Sequence, residues 1–541
     1  MRFNRQKITG HLLLIVFLWL FVGVDFGTAQ TRPNRPVKTG ASEKLLAEAA
    51  AALSREDVNG ADAIVQKVLA AAPNNPTAQT LAGIVAEKQN DLPRAEKYFA
   101  RAARLSPASA ETRNNYGVIL LKQNKKTEAA REFAASLKIN PAQKSALLNL
   151  AQIRFAENNF SAAGELFEKA VAIAPETEIA RALVVIALHA KDAARAAEKY
   201  RQYAELAKEN APNPSARAEL GTGLLESGLT AEAVTELEAA LAADAGNVEV
   251  LTALARAYLK QKNIKQAGRL LESAVARGLD DARIYAALTD VYEAGGYLEN
   301  AIPAMRRAIE KEPRNEFYRV RYGLLLIDSK APAAAVIRLG EAARDFPNSA
   351  KILLALGIAE QADGKPVDAQ NSFEKALKIE PNSVPILAYL ALIMDEKGQF
   401  DETVSVTERA LTVEETNPVL HYLLADTLLK MPDGDPAQAE KHFRRAIQLD
   451  GNLTQAHLSL GRLLARQNRW AEAVAEFETS VRLAPDLAEA QYQLGRALAR
   501  VKRAEDSNKA FEKFKKLNET QTAERETTRK ELVQRLANTR F

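Results

Sequence analysis

The chain contains no cysteine. That excludes disulfides, thiolate nucleophiles, cysteine-ligated metals and a lipid-modified N-terminal cysteine. Aromatic residues are only 6% of the chain, which suits close-packed helix pairs better than a large globular core or a sheet. There is no phosphate loop of the form G-x-x-x-x-G-K-[ST], no H-E-x-x-H and no G-x-S-x-G. The five histidines are His11, His189, His421, His442 and His457. His421 and His442 fall on the two helical stretches of one segment, but no carboxylate pattern beside them makes a metal site. Met431 to Pro436 holds two carboxylates around a glycine and lacks the remaining ligands of a calcium loop, so it reads as a tight turn. No cofactor is expected, and no enzymatic activity. A formal net charge of +4 on a chain with 26% charged residues demands no polyanionic partner, while permitting a local basic patch.

What is present is a strict period. Pro73, Pro107, Pro141 and Pro175 are each 34 residues apart, and the beat returns at Pro313, Pro347, Pro381 and Pro485. Ahead of each proline stands the same small-and-apolar code: Ala95, Phe99, Ala102 before Pro107; Ala301, Met305, Ala308 before Pro313; Ala369, Phe373, Ala376 before Pro381. Apolar residues recur three and four apart in two stretches per period, which is helical spacing, and short turns such as Gln89 to Asp91 and Lys397 to Gln399 separate the stretches. Two antiparallel helices pack closely only if small residues sit at their crossing. Gly83, Gly117, Gly221, Gly323, Gly357, Gly461 and Gly495 are assigned that place on the first helix, facing Ala95, Ala129, Ala163, Ala233, Ala267 and Ala473 on the second. The rings of Phe99, Phe133, Phe167, Phe373, Phe443, Phe477 and Phe511 are expected to plug the gap between adjacent units. The phased proline, with no N–H to donate, ends the second helix.

The spacing resembles the tetratricopeptide repeat, with its small residues at positions 8, 20 and 27 and proline at position 32. Asn114 to Leu121, continuing to Ala129, Phe133 and Pro141, is a close match, and so is Leu460 to Leu464 with Ala473, Phe477 and Pro485. The resemblance implies an all-α, right-handed superhelical solenoid of about fourteen helix-turn-helix repeats over residues 42–519, closed by a capping helix at 520–541. Some units depart from it. The unit from Glu178 to Pro212 lacks the phased proline, and its second helix is expected to run on through Lys208. Residues 430–437 lengthen a turn by two, and Thr403 and Glu415 replace the usual alanine and proline.

Before the repeats, Arg2, Arg5 and Lys7 precede an apolar run from Leu12 to Val24, and Gly27-Thr28-Ala29 offers small residues before Gln30. Residues 1–29 therefore read as a signal peptide, with an uncleaved N-terminal anchor as the alternative, and 30–41 as a polar linker. The run is shorter than the ~20 residues that span a bilayer. The expected location is outside the cytoplasm, periplasmic or secreted, with membrane contact only if the segment is not cleaved.

In the family that this pattern resembles, positions 2, 5, 9, 12 and 13 of the first helix line a concave groove. Here those positions are mixed in the middle of the chain (Glu249, Arg256, Lys260; Arg283, Asp290, Glu293), more apolar from Phe317 through Val320, Leu324, Leu354, Ile358 to Leu392, and basic at the end. Arg462 and Arg466 are four apart, Arg496 and Arg500 are four apart, and the two pairs correspond in consecutive units, so they are expected to form one patch. Guanidinium forks suit carboxylates and phosphates. The competing reading is a solvated stripe paired with nearby glutamates. The family's carboxylate clamp is not reproduced, although Asn114, Asn115 and Asn149 resemble its asparagines. The expected function is a non-enzymatic exported scaffold that binds protein or peptide partners, acidic ones at the arginine patch, in its groove. The alternative is a tethered accessory subunit of an envelope enzyme or of a polysaccharide or protein export complex. Self-association through an exposed end is compatible with either. Nucleic acid is not an expected partner, since the groove lacks a continuous basic and aromatic lining.

Overall fold

The computed structural model describes residues 40–520, all of whose regular elements are α-helices, 28 in number. The segment expected to be a signal peptide and most of the expected linker lie outside the described residues, as does the capping helix expected at 520–541 apart from its first residue. The helices come in pairs. Most first helices, such as Pro76–Lys88 and Ala110–Lys122, span 13 residues, and most second helices, such as Leu92–Leu105 and Lys126–Ile139, span 14. The chain divides after Leu279 into two compact stacks. The first runs from the pair Gly40–Ser54 and Val58–Ala71 to the pair Val248–Lys260 and Ile264–Ala276, and the second from Ala282–Ala294 and Leu298–Lys311 to Ala488–Arg500 and Ala504–Thr520. Within each stack nearly every helix packs on its sequence neighbour, and several first helices also touch the next first helix.

The local sequence dictates where helices begin and end. Asn75, Asp91, Asn159 and Asn247 accept a hydrogen bond from the backbone N–H three residues on, satisfying one of the donors a helix start leaves open. The turn inside most units passes through the left-handed region, for example at Asn90 (φ 61°), Asn124 (61°) and Asn158 (59°), and at Gly296 (75°) and Gly398 (72°). Asparagine and glycine tolerate that conformation at least cost, which explains their recurrence there. The second helix stops two residues before the phased proline, as at Ile139, with Asn140 in an extended conformation ahead of Pro141.

The structure corrects one packing assignment. The phenylalanines do not simply fill the space between units. The rings of Phe99, Phe133, Phe373, Phe477 and Phe511 lie directly on the glycine of their own unit: a Cβ on Gly83 would stand 2.6 Å from the Phe99 ring, and one on Gly461 would stand 2.6 Å from Phe477. Leu237 covers Gly221 and Leu339 covers Gly323 in the same way. The glycine is there because a large second-helix side chain occupies the volume its own side chain would need. The alanines Ala95, Ala129 and Ala473 are fully buried.

A further regularity comes from the fourth residue of the first helix, which reaches back to the carbonyl six residues earlier. Gln79 Nε2 donates to Pro73 O (2.7 Å), Arg319 to Pro313 O (3.1 Å) and Gln491 Nε2 to Pro485 O (3.1 Å). His421 Nε2 and His457 Nε2 meet the carbonyls of Glu415 (2.9 Å) and Gly451 (3.2 Å) in the same place. The carbonyl between two units thus finds a side-chain donor rather than a helix partner.

The irregular units fall where the sequence departs from the code. Ala193–Glu209 has 17 residues and carries Tyr200 in the ring position and Tyr203, fully buried, where other units have alanine. The Tyr200 and Tyr203 hydroxyls donate to Glu236 (2.9 and 3.1 Å), whose carboxylate also lies 3.5 Å from Arg217. Burial first, and Glu236 second, push both phenols far above their ordinary range. The turn between Pro418–Lys430 and Pro436–Leu449 has two extra residues relative to Gln89–Asp91, and Gly434 is packed onto the Leu428 carbonyl too closely for a Cβ. Thr403 is buried in an alanine position and donates to the Gln399 carbonyl (2.8 Å).

Candidate functional site

The four arginines sit in the second stack, on Thr454–Arg466 and Ala488–Arg500. Arg462 and Arg496 are the ninth residues of their helices, and Arg466 and Arg500 the last. A cleft of about 390 Å³ opens between these helices and the next element, Trp470–Leu483. Arg462, Arg466 and Arg496 line it, together with Trp470, Ala465, Gln493, Glu489 and the ring of Phe477. Arg500 joins it by lying over the Trp470 ring, its guanidinium carbon 5.3 Å from the centroid. Arg496 stacks on Tyr492 at 5.8 Å and points an N–H at Gln493 Oε1 (3.4 Å). Both are cation–π distances, which fix the heads of flexible side chains without neutralising them.

One carboxylate answers these charges. Glu489 forms an ion pair with Arg462 through NH2. Arg462 Nε, on the same edge of the guanidinium, is shielded from water and has no acceptor. Arg466, Arg496 and Arg500 form no ion pair with any described residue. The four arginines expected to form a patch stand around this cleft; Arg462 is paired with a glutamate, and Arg466, Arg496 and Arg500 are exposed to solvent. What the sequence reading missed is Trp470, which begins the second helix and closes the cleft. Its signal was available: it stands four residues after Arg466, across a three-residue turn.

Several of the other groove positions are spent on internal contacts. Asp290 and Glu293 are both taken by Arg321. Lys260 donates to the Leu225 carbonyl (2.9 Å), and Arg283 pairs with Asp281 (2.8 Å). The apolar stretch is less open than its sequence suggests: Val320 and Leu354 are buried, Leu324, Ile358 and Leu392 are half-buried, and only Phe317 is exposed. Asn114, Asn115 and Asn149 are fully buried and touch one another by long hydrogen bonds of 3.4 and 3.5 Å, so they stand inside the packing and not on an open face.

His421 and His442 meet with Nδ1 atoms 3.0 Å apart and rings stacked. Because His421 donates from Nε2 to Glu415 O, its Nδ1 accepts, and His442 Nδ1 carries the proton between them. Burial holds both rings below the ordinary histidine range, and in His442 the neighbouring His421 adds to it. Among the described residues no cluster of three or more His, Asp or Glu side chains is placed to hold a metal ion. No helix among them is long and apolar enough to cross a membrane.

Comparison with known proteins finds the same repeat in the sequence. Sequence profiles of the tetratricopeptide repeat match residues 46–110, 117–178, 224–291, 422–488 and 458–519, together more than half of the chain. The type IV pilus assembly protein PilF of Pseudomonas aeruginosa is 28% identical over 182 residues, which are 33% of this chain and 72% of that protein. Human tetratricopeptide repeat protein 7B is 29% identical over 121 residues, 22% of this chain and only 14% of that protein. Among solved structures, yeast Tom70 matches 86% of this chain and 95% of its own at 15% identity and a TM-score of 0.39. Pseudomonas aeruginosa PilF matches 39% of this chain and 95% of its own at 18% identity and a TM-score of 0.34.

Proposed function

The chain belongs to the tetratricopeptide repeat family, and from that premise we propose that it is a non-enzymatic, exported scaffold that binds an acidic segment of a partner protein in the arginine cleft. Proteins of this family generally act as protein-interaction scaffolds. One observation carries the finer reading: three arginines converge on a cleft that contains a single carboxylate. A site with uncompensated guanidinium forks favours an anionic ligand and speeds its encounter. Binding of a glutamate-rich peptide to the full chain, measured by calorimetry at low and moderate salt, tests it. Changing Arg462, Arg466, Arg496 and Arg500 together to Glu is expected to abolish that binding. Equal affinity for both proteins sinks the proposal.

Export rests on Arg2, Arg5 and Lys7 ahead of the Leu12–Val24 run and on the small residues before Gln30. N-terminal sequencing of the protein recovered from its cells decides this. A start at Gln30 supports cleavage; an intact Met1 in a soluble cytoplasmic fraction overturns export.

A second reading is favoured by the similarity to a protein named for pilus assembly. In it the chain is a tethered accessory subunit of an envelope export or assembly complex. Recovery with membranes after alkaline extraction, N-terminus intact, supports that form, and release into the supernatant removes it.

A further inference from the structure

The cleft is larger than a lone anion needs, and its walls are not all charged. We infer that its ligand is a carboxylate immediately beside an apolar or aromatic side chain, and that Glu489 occupies the carboxylate position until the ligand displaces it. This rests on the reading of the cleft as a site for an acidic protein segment.

A volume of about 390 Å³ accommodates a whole side chain in addition to a carboxylate. Around Arg466 and Arg496 stand the half-buried Trp470 indole and Ala465, with the buried Phe477 ring beneath. Such a wall gains nothing from a fully hydrated anion and favours apolar surface removed from water. Arg500 over the indole keeps that wall in place and adds positive charge at its edge. The anionic half of the ligand is indicated by Glu489. Its carboxylate uses only NH2 of Arg462, while Nε on the same edge has no acceptor. That edge is a two-donor fork that one carboxylate can close with both oxygens. Glu489 is about half-exposed, and exposed ion pairs are weak, so displacing it costs little. An aspartate or glutamate flanked by leucine or phenylalanine on a partner protein supplies both halves.

The chain offers its own reporter, since its two tryptophans are Trp19 and Trp470. In the full chain carrying Trp19→Phe, indole emission comes from the cleft alone. Two peptides of equal charge are titrated, one with Phe and Leu beside its glutamates and one with Ser in their place, and inorganic phosphate serves as a third probe. The expected result is a shift in Trp470 emission, at least tenfold tighter binding of the Phe/Leu peptide than of the Ser peptide, and a further several-fold gain in Glu489→Gln. The Arg466→Glu/Arg496→Glu variant is expected to lose binding of both peptides. Equal affinity for the two peptides, lost in that arginine variant, overturns this inference and leaves the acidic-segment reading standing. An unchanged or weakened affinity in Glu489→Gln overturns the displacement. Phosphate binding as tightly as the Phe/Leu peptide replaces the ligand with a simple anion. If neither peptide binds, both this inference and the reading beneath it fail.

Discussion

Two regions of this chain depart from the apolar code of the repeat, one with a buried charge and one with exposed charges around a cleft, and they use that charge oppositely. In the first stack, Glu236 is buried and fully answered by Tyr200, Tyr203 and Arg217. In the second stack, Arg466, Arg496 and Arg500 face a cleft with no carboxylate of their own. A buried charge that the chain satisfies is part of its packing. A charge held in place by aromatic rings and left unpaired is available to another molecule. The difference predicts that the first region governs stability and the second governs binding, and it is open to test from both sides.

The largest effect is expected at Glu236. Replacing it by Ala leaves two phenol hydroxyls and a guanidinium without their shared acceptor inside the packing, a loss of about 3–5 kcal/mol. Glu236→Gln keeps one acceptor oxygen and is expected to cost less. Urea unfolding, read with hydrogen exchange across residues 193–243, measures both. A midpoint unchanged in Glu236→Ala shows that the network contributes nothing and removes the contrast.

Next comes the repeat's own close approach, next to the cleft. Gly461→Ala gains a little helix propensity but places a methyl 2.6 Å from the Phe477 ring, which is almost fully buried. Overpacking of this kind costs about 1–3 kcal/mol, against ~1 kcal/mol gained from replacing a helical glycine. A net loss in thermal stability is expected, and a net gain shows the contact to be soft.

These two regions also mark how far the sequence could be read. The helix pairs, their number and their turns follow from local chemistry: a capping Asn or Asp, a left-handed Asn or Gly, a proline after the helix end. The arginine patch was legible because i, i+4 spacing and the 34-residue period act together. The Tyr200–Tyr203–Glu236 cluster was not, because its partners lie 33 and 36 residues apart and join only where a lengthened helix shifts the next unit. The seat of Phe on its own unit's glycine was misassigned for a related reason. Periodicity gives the face a residue occupies, but it does not say which neighbour on that face fills the space. The apolar groove was overestimated because sequence position does not show that Val320 and Leu354 are already covered.

A smaller effect depends on pH and adjoins the cleft unit. Burial depresses His421 and His442 below the unfolded histidine value of ~6.5, so the folded chain binds fewer protons than the unfolded one below that pH. Their contribution is present above pH ~6.5 and is lost as pH falls through the folded values. His189, also depressed by burial, adds to the slope in the first stack. Arg445 and Lys441 act in the same direction, while Glu415, on whose carbonyl His421 donates, opposes it. His421→Gln should keep the reach-back bond, since Gln79 and Gln491 make it at the same position, and remove one titrating ring. Thermal midpoints between pH 7.5 and 5.5 are expected to fall less steeply in His421→Gln than in the wild type. Parallel curves refute a role for the pair.

The smallest change in stability should come from the arginines that matter most for binding. Arg466 and Arg496 are exposed at helix positions where they answer no carboxylate, and glutamine is nearly as good a helix former. Arg466→Gln and Arg496→Gln together should shift folding stability by no more than about 0.5 kcal/mol, the range of ordinary surface substitutions. The same double variant should lose acidic-peptide binding. That separation is the sharpest form of the comparison: Glu236 costs the fold when it is removed, and the arginines cost only the ligand. If the double variant unfolds markedly more easily, the arginines belong to the packing as Glu236 does, and the cleft is an imperfect seam between helix pairs rather than a site.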